Sequence, residues 1–573
     1  MAVTLQKKEI DTDVLIVGSG AAGTMAAIKA MAEGARVLVV TKGPFASGNS
    51  SIALAGYGAA LGHADPRDNP QVHFQDAIKT GQGLCNEKLV KIWTAKVVEM
   101  TLEMDRWGID LVRDGEKFDQ RPWEGHTYPR MLHHHMTTGK AVMDCLAHKS
   151  REMGIQSLQH TIVGGLLKHR DAVVGAWGIN YQTGELSIIR AKAVILATGG
   201  LGHLFPVTDN VKTVTGEGYT LGFRAGAELI GMEFCHFLPT PCYPPKLKVG
   251  HVFLGTIFGL IDNGARLYNG VGERFMKRHY PEVGDAERGG ERLTRAIGLE
   301  IYEGRSTPHG GVYLDVSDVP PEKQKTEFAK IWENAARAGV DLSCQPIELT
   351  TNPHDMVGGV KIDEEARTGV PGLFAAGEAA GGAHGASRFG GSAVADALSF
   401  GAIAGQNAAL DSKQVDKPSP IDETMLTAVE QDIRNLLSRE KGTEPSAVKR
   451  RIQSIAYDYL NVGRDEPGLR KALQELEQIE NTLLPQLSAG GEDAAQSAMK
   501  LREAIEVNGQ LELAKIMATA SLQRQESRGG YFGGHYRSDY PHQDDENWLK
   551  NIVLKRGPDG TITYYTEPPV KED

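Results

Sequence analysis

The sequence predicts an α/β protein: a doubly wound parallel sheet, interrupted by an inserted domain and followed by a helical domain. Three observations predict it. An apolar segment, Asp13-Val14-Leu15-Ile16-Val17, runs straight into the glycine turn Gly18-Ser19-Gly20-Ala21-Ala22-Gly23. Strand-like segments recur far along the chain, at 193–200 and 372–378. After Gly405 the composition changes to charged, Leu- and Ala-rich helical stretches that reach about Gln525.

The first strand is apolar throughout, as a parallel strand covered on both faces must be. Gly18, Gly20 and Gly23 let the backbone approach a pyrophosphate held at a helix N-terminus, with Ser19, Ala21 and Ala22 completing the turn. This strand, turn and helix order is the Rossmann-like signature of a dinucleotide site. The next strand, at Val37 to Val40, ends in Thr41-Lys42. An acidic ribose ligand commonly stands there, about twenty residues after the turn, so Thr41 and Lys42 become the candidate contacts. The segments ending in Thr198-Gly199-Gly200 and Gly377-Glu378 carry small residues that bring backbone close to a flat cofactor, which marks Thr198, Gly199 and Glu378. The stretch 246–344 reads as the insertion, rich in Gly and Pro early and helical from Glu322 to Ala338. Asp411 to Pro420 is a proline-punctuated linker, and Glu526 to Asp573 reads as an extended, wrapping tail.

The 573-residue chain is long enough for two to four domains. Its net charge of −11, without a lysine or arginine run, argues against nucleic acid as a partner. No apolar stretch is long enough to span a bilayer, and the polar N-terminus lacks a secretory core, so a cytoplasmic protein is expected. Cys85, Cys145, Cys235, Cys242 and Cys344 are scattered, without iron–sulfur spacing. The run His133-His134-His135 is not read as a metal site, because consecutive side chains diverge, and no metal is expected.

In order and along nearly its whole length, the chain resembles the flavoprotein subunit family of succinate dehydrogenase, fumarate reductase and L-aspartate oxidase. The resemblance rests on the glycine turn with its strand ending at Lys42, Thr215-Gly216-Glu217-Gly218, Met232-Glu233-Phe234, and Gly272-Glu273-Arg274-Phe275. It continues through His354 with Gly358-Gly359, Gly377-Glu378, His384-Gly385-Ala386-Ser387-Arg388-Phe389-Gly390-Gly391-Ser392, Glu526-Ser527-Arg528-Gly529 and Asp544-Asp545-Glu546-Asn547-Trp548. It implies a Rossmann-like FAD-binding domain (1–245 and 345–420), an inserted capping domain (246–344), and a helical C-terminal domain with tail (421–573). It also implies a helix beginning near Ser392 and Ala393 whose N-terminus stabilises charge at the flavin pyrimidine edge. Thr138-Gly139 is implied to touch the flavin side.

In that family a dicarboxylate lies over the flavin, clamped by two histidines and an arginine, while a second arginine moves the proton. His354 and Arg388 match the clamp and are the catalytic candidates here, Arg388 also as a cofactor contact. The other half departs: Leu238-Pro239-Thr240 replaces the family's His-Pro-Thr, and ungapped alignment from Gly272 puts Ile261 at the shuttle arginine. Arg266, His236 and Tyr268 are weaker substitutes. An apolar wall of Leu238, Phe258 and Ile261 would make burying a second, unpaired carboxylate costly by several kcal/mol. The resemblance therefore implies hydride exchange between FAD and a small acid other than succinate or fumarate, gripped by Arg388 and His354. A sulfo or phospho group is an equal alternative to the carboxyl.

Membrane-bound relatives tether FAD through a histidine in a Ser-His-Thr context. Here the stretch is Asn49-Ser50-Ser51-Ile52, leading to Gly56, so non-covalent FAD is expected, with Ser50, Ser51 and Gly56 against it. With no cluster-binding cysteines, an iron–sulfur protein is the expected electron partner, which would place the chain at the inner face of a membrane through other subunits. Alternatives are a soluble aspartate-oxidase-like enzyme, an adenylylsulfate-reductase-like enzyme, and an electron-transfer protein with a decayed site.

Overall fold

Five short apolar strands pair in parallel, in the order Leu373–Ala375, Ala193–Leu196, Val14–Val17, Val37–Val40 and Gln156–Leu158. In this computed structural model, residues 6–244, 254–281, 291–439, 441–530 and 534–572 are described. The three central strands are buried along their whole length, which is why they read as unbroken apolar runs. Helix Ala21–Ala32 covers one face and lies against helix Ser392–Ser412. The two helices come so close that a Cβ on Gly405 would meet the Ala26 carbonyl oxygen at 2.2 Å.

A second sheet orders Lys7–Asp11, Leu186–Arg190, Ala172–Asn180 and Thr161–His169. The inserted region has its own sheet, Cys235–Tyr243, Ile347–Met356, Val312–Asp315 and Arg266–Tyr268, and its own apolar core with Ile257, Leu260 and Ile261. Its two long strands are the chain's way in and way out of the insertion, and they pair antiparallel. The expected start of the insertion at 246 falls outside the described residues. The single helix expected from Glu322 to Ala338 is broken into Pro321–Lys325 and Ala329–Arg337, because Phe328 turns inward and is buried against Gly259.

Helices Glu423–Ser438, Pro445–Tyr459, Glu466–Thr482 and the 30-residue Ala494–Gln523 form the C-terminal helical part. The tail is more regular than its composition indicates. Asn551–Arg556 and Ile562–Glu567 form a hairpin that pairs with Leu229–Ile230, extending a sheet completed by Gly359–Lys361 and Ala380–Gly381. No helix among the described residues is long and apolar enough to cross a membrane.

Candidate active site

The glycine turn packs as its spacing requires. Gly18 has φ of +107°, and a Cβ there would meet the Ala197 carbonyl oxygen at 2.1 Å; one on Gly23 would meet the Gly18 carbonyl oxygen at 2.1 Å. Only glycine allows the first strand, the helix after it and the strand ending at Leu196 to converge in this way. Above that convergence opens a cavity of about 1020 Å³, at the upper end of the roughly 300–1,000 Å³ typical of ligand sites.

Gly18, Ser19, Gly20, Ala21, Ala22, Thr41, Lys42, Ser50, Gly56, Thr198, Gly199, Glu378, Arg388 and Ala393 all line the cavity. Gly23, Ser51 and Ser392 stand behind it: Gly23 in the helix packing, Ser51 bonded to the Gly48 carbonyl, and Ser392 buried and bonded to the Phe389 carbonyl. A long, glycine-cradled cavity with a helix N-terminus at Ala21 and another at Ser392 fits FAD. Residues 18–22 would hold its pyrophosphate, Thr41 its ribose end, and the N-terminus at Ser392 its pyrimidine edge. Ser50 Oγ accepts a hydrogen bond from the Ala21 N–H at 3.0 Å, so at this position serine supports the turn.

Lys42 is held from behind. Its ammonium donates to Thr215 at 2.6 Å, to Glu217, and to Glu506 at 3.3 Å on the helix Ala494–Gln523. Glu506, 1 % exposed at its side chain, also accepts from Arg502 at 2.9 Å and Lys449 at 3.4 Å. Burial alone would raise its carboxyl, but these cations hold it down at about 2.

The far end of the cavity is built on the paired strands of the insertion. His236 faces Asp355 and Leu238 faces Asn352 across the ladder, and the register slips between Asp355 and Pro353. His354 is the extra residue at that bulge, a device that re-aims a side chain. Its ring lines the cavity and its Nδ1 bonds Asp209 Oδ2 at 2.6 Å. Burial lowers the imidazole, but the adjacent Asp209 charge and hydrogen bond outweigh it and raise His354 above its ordinary value. Asp209 is itself oriented: its Oδ1 accepts from the Asn210 amide at 2.9 Å and its backbone N–H donates to Asn352 at 3.0 Å.

Arg388 lies beside it, 7 % exposed, donating from Nε to Asp355 Oδ2 at 2.8 Å. Burial raises Asp355, but Arg388 and the neighbouring histidines outweigh it and hold the carboxyl below its usual value. Burial and the Asp355 charge push Glu378 up to about 8, with Oε1 accepting from the Met356 N–H at 3.0 Å. Burial takes His236 down to about 3 and His384 to about 4, so both are neutral at pH 7.

Ile261 does not face the cavity. On the helix Leu254–Asp262, Gly255, Phe258, Gly259 and Asp262 line it, while Ile257, Leu260 and Ile261 pack into the insertion's core. The wall is therefore Leu238, Pro239 and Phe258, with Asp262 beside them. Arg266 sits in a strand with a terminal nitrogen on the Ala265 carbonyl, and His236 bonds Ser387. None of Arg266, His236 and Tyr268 lines the cavity. Asp209 and Asp355 escaped sequence reading; the one available signal was that Asp355 directly follows the candidate His354. Among the described residues no group of three or more His, Cys, Asp or Glu is placed to hold a metal ion.

Comparison with known proteins agrees with this geometry. The family described as "FAD binding domain" matches residues 13–394, and "Fumarate reductase flavoprotein C-term" matches residues 449–572. The chain is 34 % identical over 557 residues to one subunit of the fumarate reductase (CoM/CoB) of Methanothermobacter marburgensis, covering 96 % of this chain and 98 % of that one. It is 30 % identical over 550 residues to the L-aspartate oxidase of Pseudomonas aeruginosa, covering 92 % and 95 %. Among solved structures, Mycobacterium smegmatis Sdh1 in complex with UQ1 superposes with a TM-score of 0.89 at 30 % identity, covering 99 % and 95 %. The chain is therefore an FAD-dependent oxidoreductase of the succinate dehydrogenase and fumarate reductase flavoprotein family.

Proposed function

We propose that this enzyme exchanges a hydride between non-covalently bound FAD and the β carbon of a small acid other than succinate or fumarate. The observation that carries the reading is the buried Arg388–Asp355 pair. The cation that would clamp a carboxylate already has a counter-charge, and His354 is likewise paired with Asp209. A dicarboxylate would bring two negative charges to a site whose cations are neutralised and whose lining includes the apolar Leu238, Pro239 and Phe258 with the acidic Asp262 beside them. One carboxylate can still share the guanidinium edge that Asp355 leaves free, since Arg has five N–H donors; a second would be buried without a partner.

When bound, FAD supplies the two-electron chemistry. The chain's residues bind and orient: Arg388 holds the acid, the apolar wall excludes water from the remainder, and Glu378, protonated at neutral pH, adds no charge beside Asp355. Two observations support electron exchange with a separate iron–sulfur protein: the cysteines are scattered, and the Methanothermobacter relative is one subunit of a larger enzyme. The chain would then act in the cytoplasm, at the inner face of a membrane through such a partner.

Flavin difference spectra test the reading. Crotonate, a single-carboxylate enoate, is expected to perturb the oxidised flavin spectrum, and Arg388→Ala to abolish that change. Succinate binding as tightly as crotonate, or binding that survives Arg388→Ala, would refute it.

A further inference from the structure

The shuttle arginine aligns with Ile261, which is buried in the core of the insertion, and none of the substitutes Arg266, His236 and Tyr268 lines the cavity. We infer that the His354–Asp209 pair is the proton-transfer device of this enzyme, with His354 Nε2 as the donor and Asp209 as the positioning residue. The inference rests on the proposed hydride transfer to a small acid and adds to it the source of the proton.

Three observations carry it. His354 stands at a bulge between two paired residues, which turns its ring to the cavity that Arg388 also lines. Its Nδ1 is committed to Asp209 at 2.6 Å, whereas no hydrogen bond is made by Nε2 among the described residues. The second carboxylate oxygen of Asp209 is held by the Asn210 amide, and the Asn210 side chain also donates to the His354 carbonyl at 3.2 Å, so carboxylate and imidazole are braced together. A braced carboxylate accepting from Nδ1–H fixes the neutral tautomer with its lone pair at Nε2 and stabilises the imidazolium, the form that carries a proton at Nε2. The charged or titratable groups around the ring are Asp209, Asp355, Arg388, Glu378 and His236. Their net effect favours the protonated ring.

His354 gives its Nε2 proton to the α carbon of an enoate while the β carbon takes a hydride from reduced FAD. One C=C π bond is lost, two C–H bonds form, the acid gains two electrons that FAD loses, and the imidazole recovers its proton from water. In the opposite direction the neutral ring accepts the same proton.

Two measurements test it on the FAD-loaded full chain. Histidine labelled with ¹³C at Cε1, with the His354 signal identified by its loss in His354→Gln, gives the ring's titration directly. The expected result is a midpoint above 6.5 that falls in Asp209→Asn. A midpoint at or below 6.5, or one indifferent to Asp209→Asn, overturns the proposal. Anaerobic reoxidation of dithionite-reduced enzyme by crotonate gives the kinetics. The wild-type rate should fall as pH rises through the His354 midpoint, and Asp209→Asn should move that limb to lower pH. His354→Gln should slow reoxidation by about 10²-fold or more while flavin difference spectra show crotonate still bound. Full activity in His354→Gln overturns the proposal. If wild-type enzyme is not reoxidised by crotonate, cinnamate or fumarate even though the midpoint behaves as expected, the hydride-to-acid reading fails, and the donor role fails with it.

Discussion

At the residue scale, the proposed substrate end of this cavity holds two cations, each paired with a carboxylate. Asp355 makes the difference between a free guanidinium and a compensated one. Removing one partner of a buried pair leaves an uncompensated charge, which typically costs about 3–5 kcal/mol. Asp355→Asn should therefore lower the unfolding free energy by about 3 kcal/mol, measured by urea denaturation of the FAD-free protein. The same variant should strengthen succinate binding relative to wild type in flavin difference spectra, because Arg388 regains its net charge.

Glu378 offers a pH test. Its carboxyl is raised from 4.5 to about 8, so between those values the folded protein holds a proton that the unfolded chain has lost. Stability from this group is complete below pH 4.5 and declines as pH rises to about 8. Asp396, raised to about 7 by burial, contributes in the same direction. Asp355 acts in the opposite sense and lower down: its contribution is present above 3.8 and is lost as pH falls. Glu378→Gln should gain stability relative to wild type between about pH 5 and about pH 8, by up to about 1.4 kcal/mol per pH unit. Thermal unfolding at both pH values checks this; an unchanged difference would contradict it.

At the element scale, the helix Ala494–Gln523 reaches from the helical part of the chain to the cofactor cavity through Glu506. Glu506→Gln would leave Lys42, Lys449 and Arg502 with one fewer buried anion among them, and is expected to cost about 3 kcal/mol or more. Glu512 on the same helix pairs with Arg224 at the surface, and Glu512→Gln should cost under about 1 kcal/mol. Urea denaturation of the two variants separates the cases. The Lys42 contact predicts further that Glu506→Gln weakens FAD binding by about 10-fold, equivalent to about 1.4 kcal/mol, measured by fluorescence of released flavin.

The parallel strands and the glycine turn were legible because both depend on local pattern: apolar runs of four residues, and glycines where a Cβ has no room. The tail hairpin was not, because its partner strand at Leu229–Ile230 lies more than three hundred residues away and no local pattern encodes that pairing. Alignment gave Ile261 a position but no helix, and in the helix Leu254–Asp262 the direction of each side chain depends on how that helix rests on the insertion's core. Residue number alone therefore puts Ile261 in a wall that Phe258 and Asp262 in fact line. Asp209 and Asp355 matter only through their partners, His354 and Arg388, one of them 145 positions away, and such a pairing is visible only once the chain is folded.

At the scale of the whole molecule, one cavity joins two structures with different tasks. The parallel sheet and its glycine turn provide a family-typical cradle for FAD, and a strand of the insertion brings His354 and Asp355, the latter paired with Arg388, to the proposed substrate end. On the proposed reading a change of substrate needs no change of fold, because Leu238 and His354 on the two long strands and Phe258 on the helix Leu254–Asp262 line that end of the cavity. The most direct test of this account is anaerobic stopped-flow reoxidation of the dithionite-reduced enzyme by fumarate and by crotonate at equal concentration. The account predicts reoxidation by crotonate at least about 10-fold faster than by fumarate, equivalent to about 1.4 kcal/mol of discrimination. Fumarate reacting as fast as crotonate, or faster, would contradict it and make the enzyme a fumarate reductase.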